Sequence, residues 1–299
     1  MSVKTLLLAA LALVTVAYLA TWVRYLRAAT AHPEGKPGLP TPLQTFIGFV
    51  TNFFDTLGIG SYAPTTAMYK FWHVVPDERI PGTLTIGHSL ATITQAFIFM
   101  ALVQVNAVTL ALMIASAVAG AWLGAGVVAA WPRRNIQIGM GLALVAAAIL
   151  FTFANLGLMP GGGTELELGN LKLALGLAGN FVLGALMTIG IGLYAPCMIL
   201  VSLLGMDPKA AFPIMMGSCA FLMPISSVKF LRVNSYSIRP ALGLLLGGVP
   251  AVLIAALIVK SLPLTTVRWL VVVVVLYSAS MMLRSAWVER GQREVSSRK

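Results

Sequence analysis

The chain is 299 residues long, 59% of them hydrophobic and 10% charged, with a mean hydropathy of +0.91. A soluble domain carries about 25% charged residues, so this composition excludes an ordinary soluble globule. The net charge of +11 does not point to nucleic acid, because most Lys and Arg sit in short stretches between apolar runs, as membrane topology signals do.

Residues 5–23 form the first apolar run, with Lys4 before it and Arg24, Arg27 and Lys36 after it. A cleaved signal peptide would leave those charges outside. The pattern predicts instead a retained helix with its N-terminus outside the cell. Further apolar runs lie at 41–75, 82–104, 107–131, 135–155, 171–205, 211–230, 239–260 and 264–286. Runs of about 20 residues fit single bilayer crossings. The runs at 41–75 and 171–205 are too long for one helix, and each is interrupted near its centre by glycine and proline.

Positive charge orients the loops. Arg24/Arg27/Lys36, Arg133/Arg134, Lys229/Arg232/Arg239 and the tail from Arg284 to Lys299 are placed in the cytoplasm. The loop holding Gly161, Gly162, Gly163, Glu165 and Glu167 carries no Arg, with Lys172 at its edge, and is placed outside. The 41–75 stretch then begins and ends inside, whereas 171–205 begins and ends outside. Each is predicted to be a hairpin, and the two enter from opposite faces. An arm of about 15 residues extends ~22 Å, short of a hydrocarbon core of ~30 Å. The tips therefore sit deep in the bilayer, where irregular backbone is tolerated only inside protein or beside water.

The interruptions are near copies. GIGSYAP occupies 58–64 and GIGLYAP occupies 190–196, an offset of 132 positions. At the same offset Thr56 matches Thr188, Pro76 matches Pro208 and Pro81 matches Pro213. One GxG would be weak, but this many glycine and proline matches indicate duplication. The expected fold is an all-α polytopic membrane protein with two inverted-topology repeats. Each repeat is a membrane hairpin of short helices plus three spanning helices. The segments are an N-terminal helix and link (1–40), a first repeat (41–155), an external loop (156–170), a second repeat (171–286) and a basic cytoplasmic tail (287–299). Inverted repeats with broken helices are a secondary-transporter architecture.

Glycine at 58 and 60 permits a backbone reversal, and Pro64 suits the first turn of an outgoing helix. The N–H groups of Ser61, Tyr62 and Ala63, and of Leu193, Tyr194 and Ala195, would then face the interior. A helix N-terminus carries roughly +0.5 charge and binds anions through its backbone. Two facing tips make a cradle for one small anion, lined by Thr56, Gly58, Gly60, Ser61, Tyr62, Thr188, Gly190, Gly192 and Tyr194. The plainer alternative is that the glycines allow close packing and the tyrosines fill space.

The run from Met187 to Ile258 resembles the TauE/SafE sulfite-exporter family of anion permeases. The resemblance is carried by MTIGIGLYAP, LGMDPKAA, GSCAFLMP, the basic SSVKFLR and VPAVLIAALI, with 41–155 as a more diverged copy. It implies a two-repeat permease for sulfur oxyanions, sulfonates or related organic anions. The family commonly has a longer glycine run at the turn. Here Ser61-Tyr62 and Leu193-Tyr194 stand there, which shifts the expectation towards an organic anion.

Ionisable groups inside apolar segments are functional candidates. Asp55 precedes Thr56 at the first tip, and its match is the uncharged Met187. A carboxyl that is neutral beside a bound anion and ionised after its release is the outline of proton coupling; the alternative is that it caps the turn. His88, matched by Ala220, is the second coupling candidate. Gln95 and its match Ser227, with Ser89, Thr92, Ser218 and Ser226, are polar groups on the helices after the hairpins. They could line a cavity or simply let helices pack. Lys70 is expected to snorkel to the surface. Cys197 and Cys219 match no metal or redox spacing, and no cofactor or metal is indicated.

A secondary transporter in the cytoplasmic (inner) membrane, with a cytoplasmic C-terminus, is therefore expected. Its partners are a small anion and the bilayer, and a homodimer is an open option. A passive anion channel could use the same hairpins. An intramembrane enzyme has no HExxH, GxGD or nucleophile motif to support it, and GxxxxGK[ST] is absent.

Overall fold

The computed structural model describes residues 2–30, 38–76, 79–123, 133–156, 158, 163–187, 193–261 and 264–296. They form helices α1 (Val3–Thr30), α2 (Pro42–Thr56), α3 (Tyr62–Phe71), α4 (Ile80–Leu102), α5 (Ala107–Leu123), α6 (Arg133–Asn155), α7 (Asn170–Met187), α8 (Tyr194–Leu203), α9 (Ala211–Arg232), α10 (Ile238–Ser261) and α11 (Leu264–Ser296). A 3₁₀ turn, Pro208–Ala210, leads into α9. Among the described residues the β-pairing is one isolated bridge, Glu165 to Met206. Five stretches are long and apolar enough to cross a bilayer: Val3–Arg27, Ile80–Leu102, Asn170–Met187, Pro208–Arg232 and Ile238–Ile258. The chain is thus an all-α, multi-pass membrane protein.

The two long interrupted runs are helix pairs, α2/α3 and α7/α8. The outgoing arms are shorter than the sequence suggests, ten residues each, or ~15 Å of helix. The first ends where His73 takes a φ of 50°, and the second where Gly205 takes a φ of 94°. α1 extends beyond the 5–23 run. α11 continues to Ser296, so most of the stretch expected as a separate tail is helical.

Local chemistry explains the first hairpin. Thr41 caps α2: its hydroxyl accepts from the Gln44 N–H while Gln44 Oε1 accepts from the Thr41 N–H, and Pro42 opens the helix. α2 lies against α10 at very close range. A Cβ on Gly48 would stand 2.6 Å from the Gly243 carbonyl oxygen, and one on Gly247 would meet the Thr45 carbonyl. α5 and α7 approach in the same way, with Gly120 against the Phe181 carbonyl and Gly184 against the Ala117 carbonyl. Small residues at such interfaces let membrane helices approach backbone to backbone.

Contacts between loops define two ends of the bundle. At one end Arg239 donates to the Leu39 carbonyl, Tyr69 OH to the Pro240 carbonyl and the Ser237 N–H to Thr83 Oγ1. This end therefore holds the start of α2, the end of α3, the start of α4 and the start of α10. Arg134 on α6 reaches the Ala286 carbonyl on α11. At the other end Asn106 bonds Glu167 and the Leu166 carbonyl, and the Asp207 N–H donates to the Glu165 carbonyl. A Cβ on Gly205 would stand 3.1 Å from Lys172 Nζ. That end holds the end of α4, the start of α7 and the end of α8. α1 runs antiparallel to α4, since Lys4 reaches the Ala101 carbonyl while Tyr18 OH reaches that of Ile86.

Candidate functional site

A polar stripe on α2 meets a polar stripe on α4 in the middle of the bundle. On α2 it consists of Thr51, Asn52, Asp55 and Thr56, all buried. On α4 it runs Thr85, His88, Ser89, Thr92 and Gln95, spaced to share one helical face. The stripes interlock where α2 ends and the turn to α3 begins.

Gln95 is the centre of the arrangement. It has no exposed surface. Its Nε2 donates to Asp55 Oδ2 at 2.9 Å and to Thr56 Oγ1 at 3.0 Å. Its Oε1 accepts from the Tyr194 hydroxyl at 2.8 Å. Thr56 passes its own hydrogen to the Asn52 carbonyl. One amide therefore ties the first hairpin tip to the first residue of α8. Ser61, at the start of α3, lies near the Asp55 carboxyl.

A second group lies one turn back. His88 Nδ1 is 3.0 Å from Asn52 Oδ1, and His88 Nε2 is 3.1 Å from Thr65 Oγ1. The Asn52 amide nitrogen donates to the Gly48 carbonyl, so Oδ1 is left to accept and His88 Nδ1 carries a hydrogen. The Thr65 hydroxyl also lies 2.7 Å from the Ser61 carbonyl. It can give its hydrogen to either neighbour, and so can serve either protonation state of the ring. Tyr62 packs beside the imidazole, ring centroids 6.0 Å apart, and its hydroxyl donates to Thr85 Oγ1.

Gly58 and Gly60 adopt φ values of 98° and 85°, a region that L side chains rarely enter. A Cβ on Gly58 would stand 3.0 Å from Met198 Sδ of α8, whereas no described atom lies within 4 Å of one on Gly60. The backbone reversal requires both glycines; close packing constrains only the first. At the start of α8 the Cys197 N–H donates to the Leu193 carbonyl.

The structure brings Asp55, Thr56, Gln95, Ser61 and Tyr194 together, with Tyr62 and His88 adjacent. Ser227 lies apart, at the crossing of α4 and α9, 3.1 Å from Ser89 Oγ. Thr188, Gly190 and Gly192 lie outside the described residues. Lys70 is exposed on the last turn of α3. Asn52, Thr65 and Thr85 were not singled out from the sequence. The signal for Asn52 was present in the polar i, i+3, i+4 spacing of Asn52, Asp55 and Thr56.

Fold and site together define a multi-pass helical membrane protein with a buried polar centre at a helix break. A family model described as Sulfite exporter TauE/SafE matches residues 172–299. The resemblance read from the motifs is borne out over that part of the chain, which holds α7 to α11. No curated protein and no solved structure matches the chain.

Proposed function

We propose that the protein is a secondary permease for a small anion, with sulfur oxyanions and sulfonates as the substrate class. In this reading the two halves are inverted repeats, and the anion is held where their hairpin tips meet. The observation that carries it is the Gln95 bridge between Asp55/Thr56 and Tyr194. It joins the tip of a hairpin that opens at one end to the start of a helix whose hairpin opens at the other. Helix bounds support the duplication, since α3 and α8 are both ten residues long and start at Tyr62 and Tyr194. So does the exchange of partners, with α2 packed on α10 and α5 on α7. The end bearing Arg134, Arg239 and the C-terminal part of α11 is the cytoplasmic end by its charge.

Asp55 is the proposed proton carrier. It is buried, and the opposing position holds Met187. A proton taken up with the anion removes the repulsion between two negative groups; its release accompanies anion release. Closure of the centre, with Thr56 and Gln95 fully buried, favours a carrier over an open channel.

The test is uptake into proteoliposomes of sulfite, an alkanesulfonate and acetate, with and without a pH gradient. The reading expects saturable uptake of a sulfur anion, accelerated counterflow and a response to the gradient. Uptake of none of these anions above protein-free vesicles would overturn it.

A further inference from the structure

Five residues near the end of α9 form one continuous face that the rest of the described protein leaves uncovered. They are Ile225, Val228, Lys229, Arg232 and Val233, spaced i, i+3, i+4, i+7 and i+8, and they line a groove of about 450 Å³. Ile225 is 60% exposed and Val233 66%. Lys229 and Arg232 are also exposed, and neither makes a side-chain hydrogen bond or ion pair among the described residues.

The order along the helix matters. Arg232 is the last residue of α9 and Lys229 lies one turn deeper. Ile225 is seven residues below Arg232, or about 10 Å. Two adjacent cations thus stand near the helix end beside an open apolar groove on the same face. A cation pair alone would suit any anion, and an apolar groove alone would suit any lipid tail. Charge at the headgroup level with apolar walls beneath matches a molecule built in the same order. Basic residues at membrane depth attract anionic headgroups, and two of them on one face hold a phosphate between them.

We propose that this face of α9 binds an anionic phospholipid, its phosphate between Lys229 and Arg232 and an acyl chain against Ile225 and Val228. Neither cation bonds Gln95 or its partners Asp55, Thr56 and Tyr194, so the site is separate from the permease reading and stands whether or not that reading holds. Occupancy would steady the end of α9, which also carries Ser227.

The probe is phosphatidylglycerol, compared with phosphatidylcholine, on the full chain in detergent, read by native mass spectrometry and thermal unfolding. The protein is expected to retain phosphatidylglycerol in preference and to be stabilised by it. The double variant Lys229→Gln/Arg232→Gln should lose that retention by ~10-fold or more. The charge-matched control Arg79→Gln/Arg284→Gln should keep it. Ile225→Trp, which fills the groove and leaves both cations, should weaken retention without changing charge. Equal retention of the two lipids by the unaltered protein would overturn the proposal. So would equal losses in the two double variants, which would mark a diffuse charge effect.

Discussion

The two hairpin regions share a seven-residue phrase with one change and a ten-residue outgoing helix, but not a chemistry. At an offset of 132 the first half has Asn52, Asp55, Ser61, Thr65, Thr85 and His88 where the second has Gly184, Met187, Leu193, Cys197, Gly217 and Ala220. Every one of those first-half groups is a donor, an acceptor or an acid, and the second-half set is apolar or sulfur-bearing. Gly58, Pro64 and Tyr62, by contrast, recur as Gly190, Pro196 and Tyr194. The glycine, tyrosine and proline of the phrase stand in both halves, whereas these polar groups stand in the first half alone. The second half contributes the Tyr194 hydroxyl to that apparatus, meets the α4 stripe through Ser227 and packs Met198 against the first turn.

The largest effect that tests this asymmetry is expected at Gln95. Gln95→Leu removes all three bonds at once and leaves the Asp55 carboxyl buried without its amide. Unsatisfied buried groups cost about 1–3 kcal/mol each, more when charged. Transport is expected to be lost, and thermal unfolding to move down by several degrees. The matching substitution Ser227→Ala breaks a hydroxyl pair at a helix crossing and should leave transport within ~3-fold of normal. Equal damage from the two would show that the halves share the work evenly.

A smaller effect separates the two turn glycines. Both sit at positive φ, where a side chain costs about 1–2 kcal/mol. Only Gly58 also faces Met198. Gly58→Leu should therefore be the more damaging in thermal unfolding of the purified protein. Adding Met198→Ala should recover part of the loss. Met198→Ala combined with Gly60→Leu should recover nothing, because no described atom crowds that position. If Gly60→Leu proved the worse in unfolding, backbone strain and packing would be wrongly apportioned here.

Much of this was legible in the sequence, for identifiable reasons. The helix breaks announce themselves because Gly58, Gly60 and Pro64 are costly inside a spanning helix and are written twice. Charge placement announced which loops share an end, and the contacts of Arg239 with Leu39 and of Asn106 with Glu167 group the loops in the same way. The bridge itself was only half legible. Gln95 and Tyr194 stood out singly, but nothing in their spacing says that an amide 40 residues after Asp55 reaches both hairpins. Asn52 and Thr65 were hidden because matching the halves rewards what repeats, and these two have Gly184 and Cys197 as counterparts. The short outgoing arms were missed because apolar residues continue past Phe71 and Leu203, while the helices stop at His73 and Gly205.

Asp55→Asn keeps the shape of the carboxyl and removes its proton. The bond from Gln95 Nε2 remains available to the amide oxygen, so folding should hold, with unfolding shifted by no more than a few degrees. In the permease reading the variant still exchanges anion for anion in proteoliposomes but no longer responds to a pH gradient. A variant that still concentrates substrate along the gradient would remove Asp55 as the carrier. His88, whose Thr65 partner can serve either protonation state, is then the residue to replace.

The smallest effect is also the cleanest comparison, because it uses a matched pair and removes one atom from each. Tyr194 OH donates to Gln95 at 2.8 Å in a fully enclosed setting, and Tyr62 OH donates to Thr85 at 3.2 Å in a partly enclosed one. A net hydrogen bond contributes about 0.5–1.5 kcal/mol, and the buried partner left behind raises the cost. Tyr194→Phe leaves Gln95 Oε1 without its donor, so it belongs at the upper end of that range. Thr85 Oγ1 keeps its bond to the Pro81 carbonyl when Tyr62→Phe is made, which puts that variant at the lower end. If the bridge also holds the anion-loaded state, Tyr194→Phe should slow transport by ~10-fold, the rate equivalent of about 1.4 kcal/mol. Tyr62→Phe should slow it by no more than ~3-fold. Rates that fall equally would mean that the two hydroxyls act as a symmetric pair in the working cycle. The asymmetry of the closed centre would then belong to this one state and not to the mechanism.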